Sequence, residues 1–401
     1  MSQAFIADSA PHDDALAGIR VLDFTIVMSG PMCTRALADA GADVIKVESP
    51  EGDVVRHRPP HRGGFSTYFG AMNCGKRSTV INLQTEEGRQ LAHALAKQVD
   101  IVVENFRPGV MKRLGLDYQT LAQTNPRLIY CSITGFGQYG PMAAAPAYAP
   151  VIHAWSGYEM AYAEYQRHSS RPSNNGIFIA DVLGASHAVS AIYLALLDRE
   201  RTGLGQCIDV SLLDSMLGML VYEMQAAQFP PEHGRQVYEP VRSADGYVMV
   251  AAVTPKNLEV LFDVIGYPQG KTDPRFATVR SKEANWQALL EIIETWTSKR
   301  SGEECERTLM GAGVPCARYR TVGDVIGEPQ IETRGLLAGL SSNGEGFKVA
   351  NASYQLSRSR IVARQKLPRL GEDTKQVLRD VLGKSDQETE SLIKRGVVGV
   401  S

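Results

Sequence analysis

Residues 19–47 decide the fold. They begin with Ile19-Arg20-Val21-Leu22-Asp23-Phe24, an apolar run typical of a buried strand, and end with a second run, Ala42-Asp43-Val44-Ile45-Lys46-Val47. Between them Gly30-Pro31 opens a helix that reaches about Asp39, since proline suits a first helical position, where no N–H is needed. This strand–helix–strand unit predicts two neighbouring parallel strands with a helix on one face.

The same alternation continues along the chain. Further strands are predicted at 79–83, 100–104, 128–133 and 206–210, and helices at 86–97, 182 to about 197, and 212–227. The pattern changes after Phe229-Pro230-Pro231, where 238–253 predicts a hairpin turning at Ala244-Asp245-Gly246. Residues 255–326 are charged and amphipathic, with 285–297 the clearest helix, and short strands return at 336–362 before a polar helical tail. We therefore predict an α/β protein with a second, smaller domain at 229–328.

Composition limits the possible partners. The 401 residues are 44% hydrophobic and 21% charged, and their formal net charge is -2, so no overall field attracts nucleic acid or an anionic membrane. The six cysteines form no C-x-x-C pair and no metal-ligand spacing with histidine, which predicts reduced thiols and no metal site. No signal-like start and no run of 18 apolar residues is present, so we predict a cytoplasmic protein without a membrane span.

The common cofactor and nucleophile motifs are missing. The first strand is followed by Thr25-Ile26-Val27-Met28-Ser29-Gly30-Pro31, which is not G-x-G-x-x-G, and no G-x-x-x-x-G-K-[ST] occurs. Gly184-Ala185-Ser186-His187 is close to a G-x-S-x-G elbow but falls inside a predicted helix. These absences argue against a nicotinamide enzyme and against a serine hydrolase, and they predict no permanently bound cofactor.

Asp181 is a lone carboxylate in the apolar stretch Gly176 to Ala185, where the long helix is predicted to begin. One interpretation is an N-cap, worth about 1 kcal/mol. The other is a nucleophile, kept ionised by the free N–H groups and positive dipole end of the helix. The local sequence leaves both open and favours the cap.

Two loops carry groups suited to an anionic ligand. Asn73-Cys74-Gly75-Lys76-Arg77-Ser78 precedes one strand, and Glu104-Asn105-Phe106-Arg107-Pro108-Gly109 follows another, with Lys112 and Arg113 one turn on. Ligands of open α/β sheets bind outside the carboxyl ends of the strands. Arginine can grip phosphate bidentately, and Phe106 could pack on a flat base. The alternative is a solvated loop with ordinary surface arginines.

Together, and in this order, these segments resemble the family III CoA-transferases, a group that includes formyl-CoA and carnitine CoA-transferases and a close relative, alpha-methylacyl-CoA racemase. The resemblance runs from about residue 16 to 370. It rests on Val21-Leu22-Asp23-Phe24-Thr25, Gly30-Pro31, Gly41 to Glu48, Asn73-x-x-Lys76-Arg77-Ser78, Val103 to Gly109, Asn125-Pro126-Arg127-Leu128-Ile129, and Thr202-Gly203-x-Gly205-Gln206.

The resemblance implies a Rossmann-like large domain with a parallel sheet, made of residues 1–228 and 329–401, and a smaller α+β domain at 229–328. It also implies an interlocked homodimer, two subunits threaded through each other like chain links. The implied substrates are an acyl-CoA thioester and a small carboxylic acid, with coenzyme A as substrate rather than resident cofactor. The implied activity is transfer of CoA between the two.

Residue by residue, the resemblance makes Asp181 the catalytic nucleophile. It attacks the thioester to give an aspartyl anhydride, and then carries CoA as an aspartyl thioester. The CoA contacts that the resemblance implies are Met28, Ser29, Ile81, Leu83, Gln84, Asn105, Phe106, Arg107, Arg113, Pro146, Ala147 and Tyr148.

Some positions depart from the family pattern. Racemases carry Gly-His-Asp where this chain has Ala147-Tyr148-Ala149, so one of the two acid/base groups that racemisation needs is missing. His153 is nearby but is better explained as a packed or hydrogen-bonded helix residue. Met28 and Ser49 replace residues common in relatives, which leaves details of CoA contact open. An acyl-CoA racemase or isomerase is therefore the alternative function, and a non-catalytic CoA-binding protein is a third possibility.

The sequence gives weaker indications of which carboxylic acid is the substrate. No glycine tract like the flexible lid of formyl-CoA transferase lies near residues 225–260, which argues against oxalate or formate as favoured acids. An aromatic group could line a larger acyl pocket, although aromatics at such spacing are more often core or interface. Its members are Trp155, Tyr158, Tyr162 and Tyr165.

Overall fold

Two units make up the chain in the computed structural model, which describes residues 14–166, 171–174, 176–232 and 235–401. One unit runs to Gln228 and resumes at Glu332–Ser401; the other is Phe229–Ile331. The start of the chain, one basis for the predicted location, lies outside the described residues.

The larger unit begins with alternating strands and helices. Its elements up to Gln228 are β1 (Arg20–Asp23), α1 (Ser29–Asp39), β2 (Asp43–Glu48), β3 (His61–Arg62), β4 (Phe65–Ser66), α2 (Thr67–Asn73), β5 (Arg77–Ile81), α3 (Glu86–Ala96), β6 (Ile101–Glu104), α4 (Val110–Leu114), α5 (Tyr118–Ala122), β7 (Ile129–Thr134), α6 (Ala149–Trp155), α7 (Tyr158–Tyr165), α8 (Ile179–Thr202), β8 (Cys207–Ser211), α9 (Leu212–Met219) and α10 (Val221–Gln228).

The smaller unit and the returning segment follow. They contain β9 (Val241–Ser243), β10 (Gly246–Val250), α11 (Pro255–Val264), α12 (Val279–Ala284), α13 (Trp286–Thr297), α14 (Gly302–Gly311), β11 (Cys316–Arg318), α15 (Val322–Val325), α16 (Pro329–Thr333), β12 (Leu337–Ser342), β13 (Glu345–Ala350), α17 (Thr374–Leu382), α18 (Asp386–Lys394) and β14 (Val398–Gly399). Short 3-10 turns lie at Val54–His57, Pro268–Lys271 and Pro274–Phe276.

A seven-stranded sheet forms the centre of the larger unit. Its order is β14-β5-β2-β1-β6-β7-β8, and every pair is parallel except β14 with β5. Along the chain, β2 and β5 follow β1 toward one edge of the sheet, and β7 and β8 follow β6 toward the other edge. A topological switch point therefore lies between β1 and β6. The predicted α/β class with a mostly parallel, Rossmann-like sheet is confirmed.

Each face of the sheet is covered by its own apolar layer. On one face, α1, α6, α8 and α9 contribute buried side chains such as Leu37, Ile152, Ile192 and Met216. On the other face, α3 and α17 contribute side chains such as Leu95 and Leu378. The C-terminal segment is anchored to β5, because Asp373 accepts from the Ser78 N–H and Thr374 from the Val80 N–H, at 2.9 and 3.1 Å.

The smaller unit has its own apolar centre, in which Val248, Phe262, Leu289 and Leu309 are buried. Its sheet has the order β11-β10-β9, and β9 and β10 form the predicted hairpin, with Ser243 opposite Gly246 across a two-residue turn. The helix predicted at 285–297 is present as α13, since Leu289, Leu290 and Ile293 give it one buried face.

Three local predictions are corrected. The strand predicted at 79–83 lies at Arg77–Ile81, because its hydrogen-bond register with β2 starts at Arg77. The helix predicted at 212–227 is interrupted at Leu220, which ends α9 in a non-helical conformation. The helix predicted from 182 begins at Ile179, so it already includes Asp181.

By length and composition, α8 is the one helix in the described part of the chain that could cross a membrane. Such a helix is weak evidence of a membrane span, since a core helix of a globular protein has the same composition. Here Ala185, Ala188, Ile192 and Ala195 are buried in the layer that covers the sheet. These residues make up only part of the helix, since 33% of its most apolar stretch is buried and Leu194 and Leu197 are exposed.

Candidate active site

A cavity of about 250 Å³ opens at the switch point of the sheet. The loops after β1 and β6 are joined there by the Asn105 side chain, which accepts from the Ile26 N–H at 2.9 Å and donates to the Ile26 carbonyl at 2.8 Å. The loop after β7 and the start of α8 complete the walls. Of the residues predicted from the sequence, the cavity is lined by Met28, Ser29, Asn105, Phe106, Arg107, Ala147, Tyr148 and Asp181.

Asp181 is the acidic group in the wall of this cavity. It is the third residue of α8, whose N-cap is Phe178 with no side-chain hydrogen bond, so the N-cap interpretation of Asp181 is wrong. Burial raises the pKa of the Asp181 carboxyl to about 6, against a hydrogen bond from Ser29 that lowers it. The carboxylate is thus mostly ionised at pH 7 yet poorly solvated, which suits a nucleophile.

Three helices begin at the cavity, and none is capped by the side chain of its own N-cap residue. Met28 is the N-cap of α1 and Tyr148 that of α6, and both line the cavity; Phe178 is the N-cap of α8. None of the three has a side chain that accepts a hydrogen bond from its helix. The starts of α1 and α6 therefore present free N–H groups and positive dipole ends that would stabilise negative charge, whereas at α8 the Ala180 N–H is bonded to His153 at 3.1 Å.

The loop after β1 owes its shape to buried charges beneath it. Val27 has a left-handed backbone, with φ 68, which costs a β-branched residue about 1–3 kcal/mol. Its N–H lies 3.3 Å from an oxygen of Asp53, which also pairs with Lys46 at 3.3 Å, while the Lys46 ammonium donates to the Thr25 carbonyl at 2.6 Å. Gly30 is required at the start of α1, because a Cβ there would lie 2.3 Å from the Thr25 Cβ.

Lys76 belongs to this buried network and not to a ligand surface. It is fully buried, and its ammonium donates to Asp23 at 3.0 Å, to Asn73 at 2.8 Å and to the Pro31 carbonyl at 3.1 Å. Burial alone would raise the pKa of Asp23, but Lys76 and Lys46 hold it below its usual value. The loop that the sequence offered as an anion site therefore has a structural role.

Tyr68 is a residue of the site that the sequence analysis missed. It lies on α2, and its hydroxyl donates to the Met28 sulfur at 3.4 Å. Burial raises the pKa of Tyr68, the Asp181 carboxylate raises it further, and Arg58 opposes both. No local pattern marks this tyrosine, because α2 is only 7 residues long and its position depends on the loop after β1.

The other predicted contact residues lie outside the lining of the cavity. Ile81 is fully buried in the second apolar layer, so its side chain is not available to a ligand. Leu83 is half-buried and Gln84 exposed, both beyond the end of β5. Arg113 is exposed on α4, and its guanidinium lies 3.6 Å from where a Cβ of Gly109 would be, at the far end of the loop that carries Arg107.

The aromatic group predicted as a possible acyl pocket packs elsewhere. Trp155 contacts Phe136 edge to face at 5.6 Å, and Tyr158 stacks on Tyr162 at 6.0 Å. Tyr165 donates to Glu223 at 2.6 Å and lines a separate groove with Met160 and Leu217. None of the four lines the cavity at Asp181.

Comparison with known proteins places this arrangement in context. Residues 16–374 match the sequence profile described as CoA-transferase family III. Succinate–glutarate CoA-transferase of Agrobacterium fabrum is 33% identical over 394 residues, which cover 94% of this chain and 98% of the relative. Acetyl-CoA:oxalate CoA-transferase of Acetobacter aceti is 36% identical over 346 residues, covering 83% and 88%.

Solved structures agree with the sequence comparison. The crystal structure of Rv3272 from Mycobacterium tuberculosis matches with a TM-score of 0.83 and 29% identity, over 91% of this chain and 99% of that one. A CAIB/BAIF family protein from Brucella suis matches with a TM-score of 0.79 and 32% identity, over 92% and 100%.

Proposed function

This chain belongs to CoA-transferase family III, and we propose that it moves coenzyme A from an acyl-CoA thioester to a free carboxylic acid with Asp181 as the nucleophile. The observation that carries the proposal is the position of Asp181. It is a half-buried carboxylate with a raised pKa, in a cavity at the switch point of the sheet that the uncapped starts of α1 and α6 also line.

The proposed mechanism has two exchanges. The Asp181 carboxylate attacks the thioester carbonyl, so the carbon–sulfur bond breaks and CoA leaves as a thiolate while an aspartyl anhydride forms. The thiolate then attacks the Asp181 carbonyl, which releases the donor acid as a carboxylate and leaves an aspartyl-CoA thioester. The acceptor carboxylate repeats both steps in reverse, so no net proton or electron is required.

The residues around Asp181 suit these charges. Each tetrahedral intermediate has an oxyanion, which the uncapped starts of α1 and α6 would stabilise with backbone N–H groups. Ser29 can donate a hydrogen bond to the Asp181 carboxylate and hold its orientation. Coenzyme A would lie along the Asn105-Phe106-Arg107 loop, where Phe106 offers an aromatic face and Arg107 a cation.

We propose small dicarboxylic acids as the acid substrates. Relatives are named for succinate, glutarate and oxalate, of which oxalate is disfavoured by the missing glycine tract near residues 225–260. Incubating the purified protein with a panel of acyl-CoAs and free acids, and detecting new thioesters by mass, tests both the activity and the acid class.

Transfer should weaken in acid because Asp181 must be ionised to attack. Its pKa is raised to about 6, so we expect kcat/KM to fall about tenfold per pH unit below that value. Burial also raises the pKa of Glu104, to about 7, beneath the loop of Asn105. Glu104→Gln is therefore the control: in this variant kcat/KM should still fall below a pH of about 6, as in the parent protein. If the fall disappears in this variant, Glu104 and not Asp181 causes it.

Coenzyme A affinity should depend on Arg107. Replacing it with alanine should weaken binding by about 1–3 kcal/mol if a charge-assisted phosphate bond is lost, as measured by calorimetry with free CoA. Arg113→Ala should have an effect of the same sign, since its guanidinium lies at the other end of the loop. Arg127→Ala, an exposed arginine paired with Glu200, is the control. Unchanged affinity in both loop variants would place the nucleotide elsewhere.

The racemase alternative makes a different prediction in D2O. Racemisation removes the alpha proton, so acyl-CoA would gain deuterium at C2 without any acceptor acid. In the anhydride mechanism, bonds form and break only at the carbonyl carbon, so the alpha proton stays in place. Because Tyr148 and Ala149 offer no matching acid/base pair, we expect no enzyme-dependent deuteration but rapid label exchange between acyl-CoA and its free acid. Fast C2 deuteration without acid exchange would favour the racemase.

The interlocked homodimer stays a prediction. Large apolar side chains are exposed on the larger unit, and burial against a second subunit would remove them from water. They include Trp155, Met160, Ile177, Leu194, Leu197 and Met224.

A further inference from the structure

His153 is a buried imidazole whose partner lies on the helix of Asp181. It belongs to α6, is 3% exposed, and packs edge to face on Tyr158 with ring centroids 5.7 Å apart. Its Nε2 accepts a hydrogen bond from the backbone N–H of Ala180, at 3.1 Å. Ala180 is the second residue of α8 and the immediate neighbour of Asp181.

This hydrogen bond replaces a missing cap. The first N–H groups of a helix have no partner within it, and an N-cap side chain normally satisfies one of them. Phe178 cannot do so, and the Ala180 N–H is buried. Without His153 that N–H would be buried and unpaired, next to Asp181. The first turn of α8 would then be held less firmly in position, because an unpaired buried N–H is unfavourable.

The bond also determines the state of the ring. Nε2 can accept only while it carries no proton, so the hydrogen of the neutral ring must be on Nδ1. Burial lowers the pKa of His153, which favours the neutral form, against Glu159, which raises it. With the Nε2 lone pair already used, this nitrogen is not available as a base.

His153 connects two walls of the cavity. It projects from α6, whose N-cap Tyr148 lines the cavity, and it binds the start of α8, whose third residue is Asp181. A shift of α8 relative to α6 would therefore change the distance between Asp181 and the uncapped start of α6.

We propose that His153 is a positioning residue: its neutral imidazole caps α8 from α6 and fixes the Asp181 carboxylate in the geometry needed for attack. The proposal rests on the function proposed above. It assigns to His153 no contact with substrate and no proton transfer.

Two substitutions separate this role from general packing. His153→Leu keeps the bulk but leaves the Ala180 N–H unpaired, so we expect kcat for CoA transfer to fall by at least about tenfold, with KM for acyl-CoA within about threefold. His153→Gln can place its amide oxygen near the position of Nε2, and should return kcat to within about threefold of the parent protein. His187→Leu is the matched control, since His187 lies on α8 itself but binds Ser215.

The result that would overturn the proposal is a parental kcat in His153→Leu. If that variant does not fold, His153→Asn replaces it: asparagine is too short to reach Ala180, so it should be slow where glutamine is active. Equal rates in these two variants would also overturn the proposal.

A spectroscopic measurement tests the cap without using activity. In protein labelled with 15N-histidine, His153 should show an unprotonated Nε2 and a protonated Nδ1 at pH 7. The opposite tautomer would overturn the proposal. If the parent protein transfers CoA between no tested acids, the proposed function fails, whereas this measurement still decides whether His153 caps α8.

Discussion

Asp181→Ala and Asp181→Asn should each lower CoA transfer by more than about 100-fold, because covalent catalysis cannot proceed without the carboxylate. Binding of free CoA should change little, since the proposed nucleotide contacts lie on the Asn105-Phe106-Arg107 loop. Transfer is measured as new thioester by mass. Hydroxylamine added during turnover should convert Asp181 of the parent protein to a hydroxamate, which peptide mass mapping locates.

Asp214→Asn is the matched control for this experiment. Asp214 is also an acidic residue in the first turn of a helix, α9, but it is exposed and does not line the cavity. Its replacement should leave transfer within about twofold, as is usual for surface changes away from a site. A variant of Asp181 that keeps more than about a hundredth of the activity would contradict the assignment of the nucleophile.

Misfolding would not explain loss of activity in Asp181→Asn. Burial raises the folded-state pKa of this carboxyl from 3.8 to about 6, so the folded protein is penalised for ionising it at every pH above about 6. Below pH 3.8 the group is protonated in both states and has no such effect. A neutral amide removes the penalty, so the variant should be at least as stable as the parent protein at pH 7.5.

Lys76→Met should lower the free energy of unfolding by about 3–5 kcal/mol, the cost of removing one partner of a buried ion pair. The substitution leaves the fully buried Asp23 without its 3.0 Å partner, and Asn73 and the Pro31 carbonyl without a donor. Denaturant unfolding followed by far-UV circular dichroism measures the effect. The loop after β1 should also loosen, so transfer should fall even where the protein is folded.

Arg77→Met is the control for this change because it alters the next residue. Arg77 pairs with Asp43, but its side chain is 17% and that of Asp43 36% exposed, and Arg20 also binds Asp43. Its loss should cost about 1 kcal/mol or less. Similar effects of the two substitutions would contradict a structural role specific to Lys76.

The comparison of Lys76 with Arg107 shows what sequence could not separate. Both lie in basic loops next to predicted strands, and both suit an anionic ligand by residue type. In the structure, Lys76 lies inside the larger unit, where it donates to Asp23, whereas Arg107 lines the cavity. The difference depends on which strands are neighbours and on the direction in which each side chain leaves its loop.

The sequence by itself determined the α/β class, the order of most strands and helices, and the position of Asp181 at the start of the long helix. These follow from short-range information: apolar periodicity, Pro31 at a helix start, and one acidic residue in an apolar stretch. Local patterns also identified most of the loops that line the cavity, because parallel strands bring their carboxyl ends to one edge of a sheet.

Only the tertiary structure decided how the site is held. His153 and Ala180 are 27 residues apart, Val27 and Asp53 26, and Lys76 and Asp23 53. Tyr68 reaches Met28 across 40 residues. Periodicity reports contacts within a turn or two of chain, whereas these pairs meet because β1 lies between β2 and β6 and the helices pack on that sheet. Sequence could place the proposed nucleophile, but the cap of its helix, the strained loop beside it and its raised pKa arise from burial and contacts that exist only after folding.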